Sequence, residues 1–418
     1  MALGNTMKRF ILALALSSVV LPALAAEPDG LTLPPGFHAT IVTEGLGNQV
    51  RHMAFAGSDR LYVSTERQTK DAPNGGIIAL HLDAHHVADR TEHFSTIDDG
   101  TAIAFTKGAL YASSPSAIYR FPLSGKALIP ASPPQIIVDN VPGRAAIAFD
   151  GKGGLYVAVG GGGNVCAPPG TPRTAKSVGP KPCPILQTRA GVWRFDANKI
   201  GQTWSDGTRY ATGIRDTNAL AYAHGALFMV MYGRDSAEKA YPEILTAEDG
   251  DHVADEMFRV DQGTDMGWPY TYYDSAKKLR LTAPEYDGDG KTAATGAYAT
   301  PIAAFPAHVA PMDIAFYGGK QFPPAYRGGA FIAFHGAGGG DPAGHDNGYD
   351  VMFVPFDKSD AAGAPMVFAD GFAGPSREDK NGKRAAYRPV GVTVGPDGAL
   401  YVADSQKGRI WRIAYTGE

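Results

Sequence analysis

The chain has 418 residues, a formal net charge of -4, 44% hydrophobic and 19% charged residues. That composition supports a large buried core, excludes a disordered chain, and gives no whole-chain electrostatic footprint for nucleic acid. Gly (52) and Pro (31) make up about a fifth of the residues, which argues for short strands joined by turns, while two Cys are too few for a zinc finger or an iron–sulfur site.

Met7–Lys8–Arg9 form a basic start, Phe10 to Leu21 is mostly apolar, and Ala23–Leu24–Ala25 has the small residues of an export cleavage site. The apolar run, about a dozen residues, is shorter than the roughly 20 of a membrane span. Residues 1–25 are therefore expected to be a signal peptide and 26–418 a mature chain with no membrane span. The expected location is periplasmic or secreted.

From there one unit recurs: a small-apolar-aromatic triplet, a turn with Gly or Asp, then an apolar-aromatic-apolar triplet. Its copies begin with Met53–Ala54–Phe55 before Leu61–Tyr62–Val63, Ile103–Ala104–Phe105 before Leu110–Tyr111–Ala112, and Ile147–Ala148–Phe149 before Leu155–Tyr156–Val157. Cys166 and Cys183 follow, flanking a loop rich in Pro, Gly and Lys. In an oxidising compartment they are expected to form a disulfide that staples this loop, contributing about 3 kcal/mol; two unpaired buried thiols are the alternative. The later copies are Leu220–Ala221–Tyr222 before Leu227–Phe228–Met229, Ile314–Ala315–Phe316 before Ala330–Phe331–Ile332, and Val392–Thr393–Val394 before Leu400–Tyr401–Val402. Each copy reads as a hairpin, and third strands follow in several, such as Gly191 to Phe195 and Ile410 to Ile413. The expected fold is all-β, a six-bladed β-propeller closed around a channel; a pair of β-sandwiches is the alternative.

In a propeller, residues just before each inner strand and just after its hairpin partner gather at one mouth of the channel. Here these positions carry Arg51, Arg144, Arg215, Asn218, Asp313 and Arg388 before the strands. After them come Glu66, Asn164, Tyr232–Gly233–Arg234–Asp235, His335–Gly336 and Asp404. The arginines suit an anion with several carboxylates or phosphates, because guanidinium forks pair with such groups bidentately.

These residues also carry a resemblance. Gly213–Ile214–Arg215–Asp216–Thr217–Asn218–Ala219–Leu220 resembles the G-[LI]-R-N-x-x-x-L segment of the quinoprotein glucose/sorbosone dehydrogenases. Tyr232 to Asp235, Asp255–Glu256 and Gly267–Trp268–Pro269–Tyr270 follow in that family's order. Arg327 to Gly336 is similar to the R-G-x-x-F-I-A-x-H-G-S-W-N-R stretch of its sorbosone dehydrogenase-like branch, and Tyr387–Arg388–Pro389–Val390–Gly391 closes the pattern. The resemblance covers Leu33 to Ile413. It implies a propeller holding pyrroloquinoline quinone (PQQ) and Ca2+ that oxidises a sugar, sugar aldehyde or polyol and passes electrons to a soluble or membrane acceptor. By the same resemblance Arg215 would contact the quinone carbonyls, Arg388 a cofactor carboxylate, and the backbone carbonyls of Gly233 and Arg234 the calcium ion. Arg144, Asn218 and the Arg234 side chain are further cofactor candidates at the mouth. Trp268 and Tyr270 would wall the site or pack a blade; Asp404 and Lys407 read as surface of the closing blade.

Three departures from the family pattern stand out. The stretch that carries a general-base His in the soluble glucose dehydrogenases is here Val141–Pro142–Gly143–Arg144. The Arg–Asn pair is Arg215–Asp216, and W-N-R is replaced by residues within Ala337–Gly338–Gly339–Gly340. His335 remains as the base candidate, with an unperturbed imidazole expected to give activity rising through about pH 6 to 7. The alternatives are a degenerate, non-catalytic propeller and a calcium-dependent lactone hydrolase; the latter needs carboxylates and Asn converging on the channel.

Overall fold

The computed structural model describes residues 25–27, 30–66, 75–94, 97, 100–167, 179–337, 348–357 and 359–417. The expected export signal and the Gly-rich segment that replaces W-N-R lie almost wholly outside the described residues. Among those described, six antiparallel sheets follow one another around a closed ring. Their inner strands are Val50–Phe55, Ile103–Thr106, Ala145–Phe149, Ala219–Ala223, Pro311–Phe316 and Pro389–Val394. Each touches the next, and the last returns to the first. The sheets are numbered here as blades one to six in that order.

The repeated triplets are the inner hairpins, in one register throughout. Met53 faces Val63, Ile103 faces Ala112, Ile147 faces Val157, Leu220 faces Met229, Ile314 faces Ile332 and Val392 faces Val402. The small middle residue has a geometric cause. Near the axis six strands converge, and Ala54, Ala104, Ala148, Ala221 and Ala315 line the bore. They leave a channel of about 510 Å³.

Away from the axis, apolar side chains fill the gaps between blades. Trp411, Phe331 and Phe353 sit between blades five and six; Phe228, Phe305 and Phe334 sit between four and five. Such rings dominate the hydrophobic gain, each fully buried large side chain contributing roughly 1.5–3 kcal/mol.

Two features lie beyond the repeat. Blade six takes its outer strand from the start of the chain: Phe37–Thr43 pairs with Ile410–Tyr415, with Thr43 opposite Ile410 and Phe37 opposite Tyr415. This closes the ring and covers an edge that would otherwise offer unpaired backbone groups. Blade four carries a long excursion between its third strand, Asp255–Val260, and its fourth, Ala303–Phe305, with the short hairpin Thr271–Asp274 and Leu279–Thr282. It leans on the loop closed by the Cys166–Cys183 disulfide, which is formed as expected. No described helix is long and apolar enough to cross a membrane.

Candidate functional site

The hairpin registers bring strand starts beside strand ends: Val50 by Thr65, Ala145 by Val159, Ala219 by Val230 and Pro389 by Asp404. The flanking residues therefore converge on one mouth, in two groups.

The first group comes from blades one, five and six. Nε2 of His335 lies 2.6 Å from Oγ of Ser405. Arg388 donates from Nε to the His335 carbonyl (3.0 Å) and from Nη2 to the Gly336 carbonyl (2.6 Å), and lies over the Tyr349 ring. Arg51 pairs with Glu66 at 2.5 Å, and its buried Nε has no hydrogen-bond partner among the described residues. Burial, then the charges of Arg388 and Arg51, hold the His335 imidazole well below its ordinary 6.5. The ring is thus neutral at pH 7, and the expected activity rise through pH 6 to 7 moves to lower pH. Burial also lowers the Arg388 pKa. Among the described residues no carboxylate forms an ion pair with Arg388.

The second group comes from blades three and four. Arg215 forms an ion pair with Asp235 rather than with its chain neighbour Asp216, and its Nε donates to Asn164. Asp216 keeps an exposed edge but is ringed by protein, and that desolvation raises its pKa against the lowering effect of Arg215. The Gly233 amide donates to Asp255, whose other oxygen accepts from the Ala310 amide. Desolvation pushes the Asp255 carboxyl up to about 7. A Cβ at residue 233 would lie 2.4 Å from the Ala254 carbonyl oxygen, so only Gly lets the turn approach so closely. Asn218 donates to the Tyr232 hydroxyl at 2.9 Å, which in turn reaches Sδ of Met312 at 2.7 Å.

Several expectations need correction. Arg234 does not offer its guanidinium at the mouth; it is enclosed with Glu285, at 3% and 4% side-chain exposure, as an internal ion pair. Asp404 is not surface: it is fully buried and accepts from the amides of Arg388, Gln406, Lys407 and Gly408. Trp268 is buried against the disulfide loop, so it packs rather than walls the mouth. Arg144 is exposed at the rim, with Nη1 3.3 Å from Glu66.

Arg189 was not among the expected residues. It precedes a third strand, where the strand-flank rule does not look. Its Nε donates to the Gly160 carbonyl at 2.8 Å, and its Nη2 would stand 3.6 Å from a Cβ at Gly143. It fills the space beside the segment that lacks the general-base His, and Asp216 opposes the lowering of its pKa by burial. His52 was also missed: buried in the channel lining, it bonds the Met312 carbonyl and lies 3.8 Å from Asp313.

This donor set fits a polycarboxylate together with a hard cation. Arg388 keeps its charge unpaired, Arg144 is exposed, and Arg51 has an orphaned buried N–H. On the other side, the carbonyls of Gly233 and Arg234 receive no backbone hydrogen bond among the described residues. Oxygen donors of this kind suit Ca2+. Among the described residues no cluster of three His, Cys, Asp or Glu side chains could hold a metal, so a cation here would rely on those carbonyls.

Comparison with known proteins agrees with this architecture. The TrAA12-like family model matches residues 31–416. The holo form of the PQQ domain of a Coprinopsis cinerea pyranose dehydrogenase superposes with a TM-score of 0.67 at 15% identity, covering 93% of this chain and 98% of that one. A calcium structure of a Trichoderma reesei carbohydrate-active enzyme of family AA12 gives 0.68 at 18% identity, covering 95% and 98%. The apo form of the soluble aldose sugar dehydrogenase of Escherichia coli gives 0.57 at 16% identity, covering 91% and 99%. At such identities the likeness establishes the fold. An uncharacterized protein of Borreliella burgdorferi is 28% identical over 170 residues, and the match spans 40% of either chain.

Proposed function

The chain belongs to the TrAA12-like family, and from that premise we propose that it is a PQQ-dependent, Ca2+-assisted oxidoreductase acting on a sugar, sugar aldehyde or polyol. The observation that carries this reading is the division of the mouth among the described residues: an Arg388 with no ion pair beside a neutral His335 on one side, and carbonyls with no backbone hydrogen bond beside carboxylates on the other. A tricarboxylate and a divalent cation satisfy both sides at once. The pyranose dehydrogenase domain and the T. reesei enzyme, whose structures are described as holo and calcium forms, support it by their shared fold.

PQQ, when bound, supplies a two-electron acceptor. This chain's residues do the rest. Arg388 and Arg144 would hold carboxylates, Arg388 being already oriented by two carbonyls. Arg215, fixed by Asp235 and Asn164, would place positive charge where negative charge develops on reduction. The carbonyls of Gly233 and Arg234 would hold Ca2+. When Nε2 of His335 donates to Ser405, Nδ1 keeps its lone pair and takes the substrate hydroxyl proton. Asn218, bonded to Tyr232 at the channel wall, would orient the bound group. The disulfide and the expected export signal support an extracytoplasmic location. Electrons would then pass to a soluble or membrane acceptor.

One feature favours the degenerate-propeller reading: Arg51 and Arg215 are already engaged by Glu66 and Asp235. The two readings part in one assay. Purified protein incubated with PQQ and Ca2+ is expected to reduce an artificial dye when given an aldose or polyol. Bound PQQ with no dye reduction across sugars, polyols and aldehydes would leave a binding protein.

A further inference from the structure

Three chain segments meet at Asn164: its own, the one that carries Arg215, and the Arg234–Asp235 turn. Its Oδ1 accepts from Nε of Arg215 (3.1 Å) and from the amide of Asp235 (3.0 Å). Its Nδ2 donates to the Asp235 carbonyl at 2.7 Å. Its own carbonyl accepts from Nη1 of Arg234 at 3.1 Å. A carboxamide offers an acceptor and a donor in one plane. The two bonds to the Asp235 backbone therefore fix that turn as a strand partner would, and the third fixes Arg215.

Asn164 is itself gripped. Two residues on, Cys166 is bonded to Cys183. The blade-four excursion clasps the loop at three points: Trp268 donates from Nε1 to the Gly163 carbonyl (2.7 Å), the Cys166 amide donates to the Tyr286 hydroxyl (3.4 Å), and the Cys183 amide to the Tyr270 hydroxyl (2.6 Å). Behind the turn, the enclosed Arg234–Glu285 pair anchors the other end. The staple and the clasp thus deliver one amide side chain to the mouth in a fixed place.

We propose that Asn164 is a positioning residue that sets the spacing between the Arg215 guanidinium and the carbonyls of Gly233 and Arg234, so that an anion at the first and a cation at the second are held as a coupled pair. The proposal rests on the cofactor reading for the identity of the two ligands and goes beyond it in naming what couples them.

The test uses the full chain with Asn164→Ala and Asn164→Asp. Hydrogen–deuterium exchange on the ligand-free proteins reports the turn directly. In Asn164→Ala, the peptide over residues 232–240 is expected to exchange about tenfold faster, while inner strands of blades one, two, five and six stay unchanged. Asn164→Asp keeps the acceptor oxygen but loses the donor to the Asp235 carbonyl, and is expected to recover part of the protection at the Asp235 amide, which a collapsed loop would not. PQQ titrations with and without Ca2+ then report the coupling: the alanine variant is expected to lose about tenfold or more of any Ca2+-induced gain in PQQ affinity. Unchanged exchange over 232–240, or an unchanged Ca2+-induced gain, overturns the proposal. Failure of the wild-type protein to bind PQQ removes the cofactor reading alone, and the exchange data still decide what Asn164 does.

Discussion

The two sides of the channel mouth grow from equivalent strand-flank positions, yet they hold their charges differently. On the side of blades one, five and six, Arg388 is held by backbone carbonyls and His335 by a hydroxyl, so positive charge and a neutral imidazole are left with no carboxylate partner among the described residues. On the side of blades three and four, Arg215 and Arg234 are consumed by Asp235 and Glu285, and Asp216 and Asp255 are left over. Carbonyls neutralise nothing and carboxylates do, so one side lacks an anion and the other a cation. A ligand that brings both would satisfy the two halves of the mouth at once.

The comparison can be broken most severely at His335. His335→Ala is expected to leave PQQ affinity nearly intact and to lower turnover by about 100-fold to 10,000-fold, read by dye reduction under saturating PQQ. Wild-type turnover retained in the variant would remove His335 from proton transfer. Next in size is the staple of the opposite side. Cys166→Ser with Cys183→Ser is expected to cost about 3 kcal/mol of stability in denaturant melts. The same variant should weaken Ca2+ binding more than it alters the side that holds Arg388, because Asn164 sits beside the staple. Arg388→Ala is expected to weaken PQQ binding by roughly 10-fold to 100-fold, the scale of a lost charge-assisted bond, measured by calorimetry. Asp216→Asn acts in the other direction: removing a carboxylate that has no ion pair among the described residues should tighten PQQ binding several-fold and reduce its dependence on Ca2+. Weaker binding in that variant would make Asp216 a needed ligand.

The smallest effect is a pH slope. The folded-state pKa of His335 is depressed below 6.5, so the unfolded chain binds the extra proton in the window between the two values. Stability should therefore fall as pH drops below about 6.5, and His335→Gln should flatten that slope. Thermal melts between pH 5 and 8 would read it, and an unchanged slope would place the titration elsewhere.

Much of this architecture is legible in the amino-acid sequence because the repeat is local. A small-apolar-aromatic triplet, a turn and a second triplet specify an inner hairpin within a dozen or so residues in five of the blades, and with the longer turn of blade five every such pair is found in the expected register. The closing strand escaped notice for the opposite reason. Phe37–Thr43 lies before the first repeat, and its partner Ile410–Tyr415 stands at the far end of the chain. The site shows the same division. Which residues flank the strands follows from the repeat, so Arg215, Asn218, His335 and Arg388 all reach the mouth. Which way a flanking side chain turns depends on partners far away in sequence: Arg234 turns to Glu285 and Arg215 to Asp235. Arg189 and His52 escaped because one precedes a third strand and the other lies inside an inner strand, in a triplet-based reading that starts one residue later.

If the mouth takes an anion and a cation together, one on each side, isothermal titration of the apo-protein with PQQ, first in a chelator and then in excess Ca2+, will show it. Binding should be weak in the chelator and at least about tenfold tighter with Ca2+, and Arg388→Ala should remove affinity under both conditions. Equal PQQ affinity with and without Ca2+, or affinity indifferent to Arg388, would contradict it.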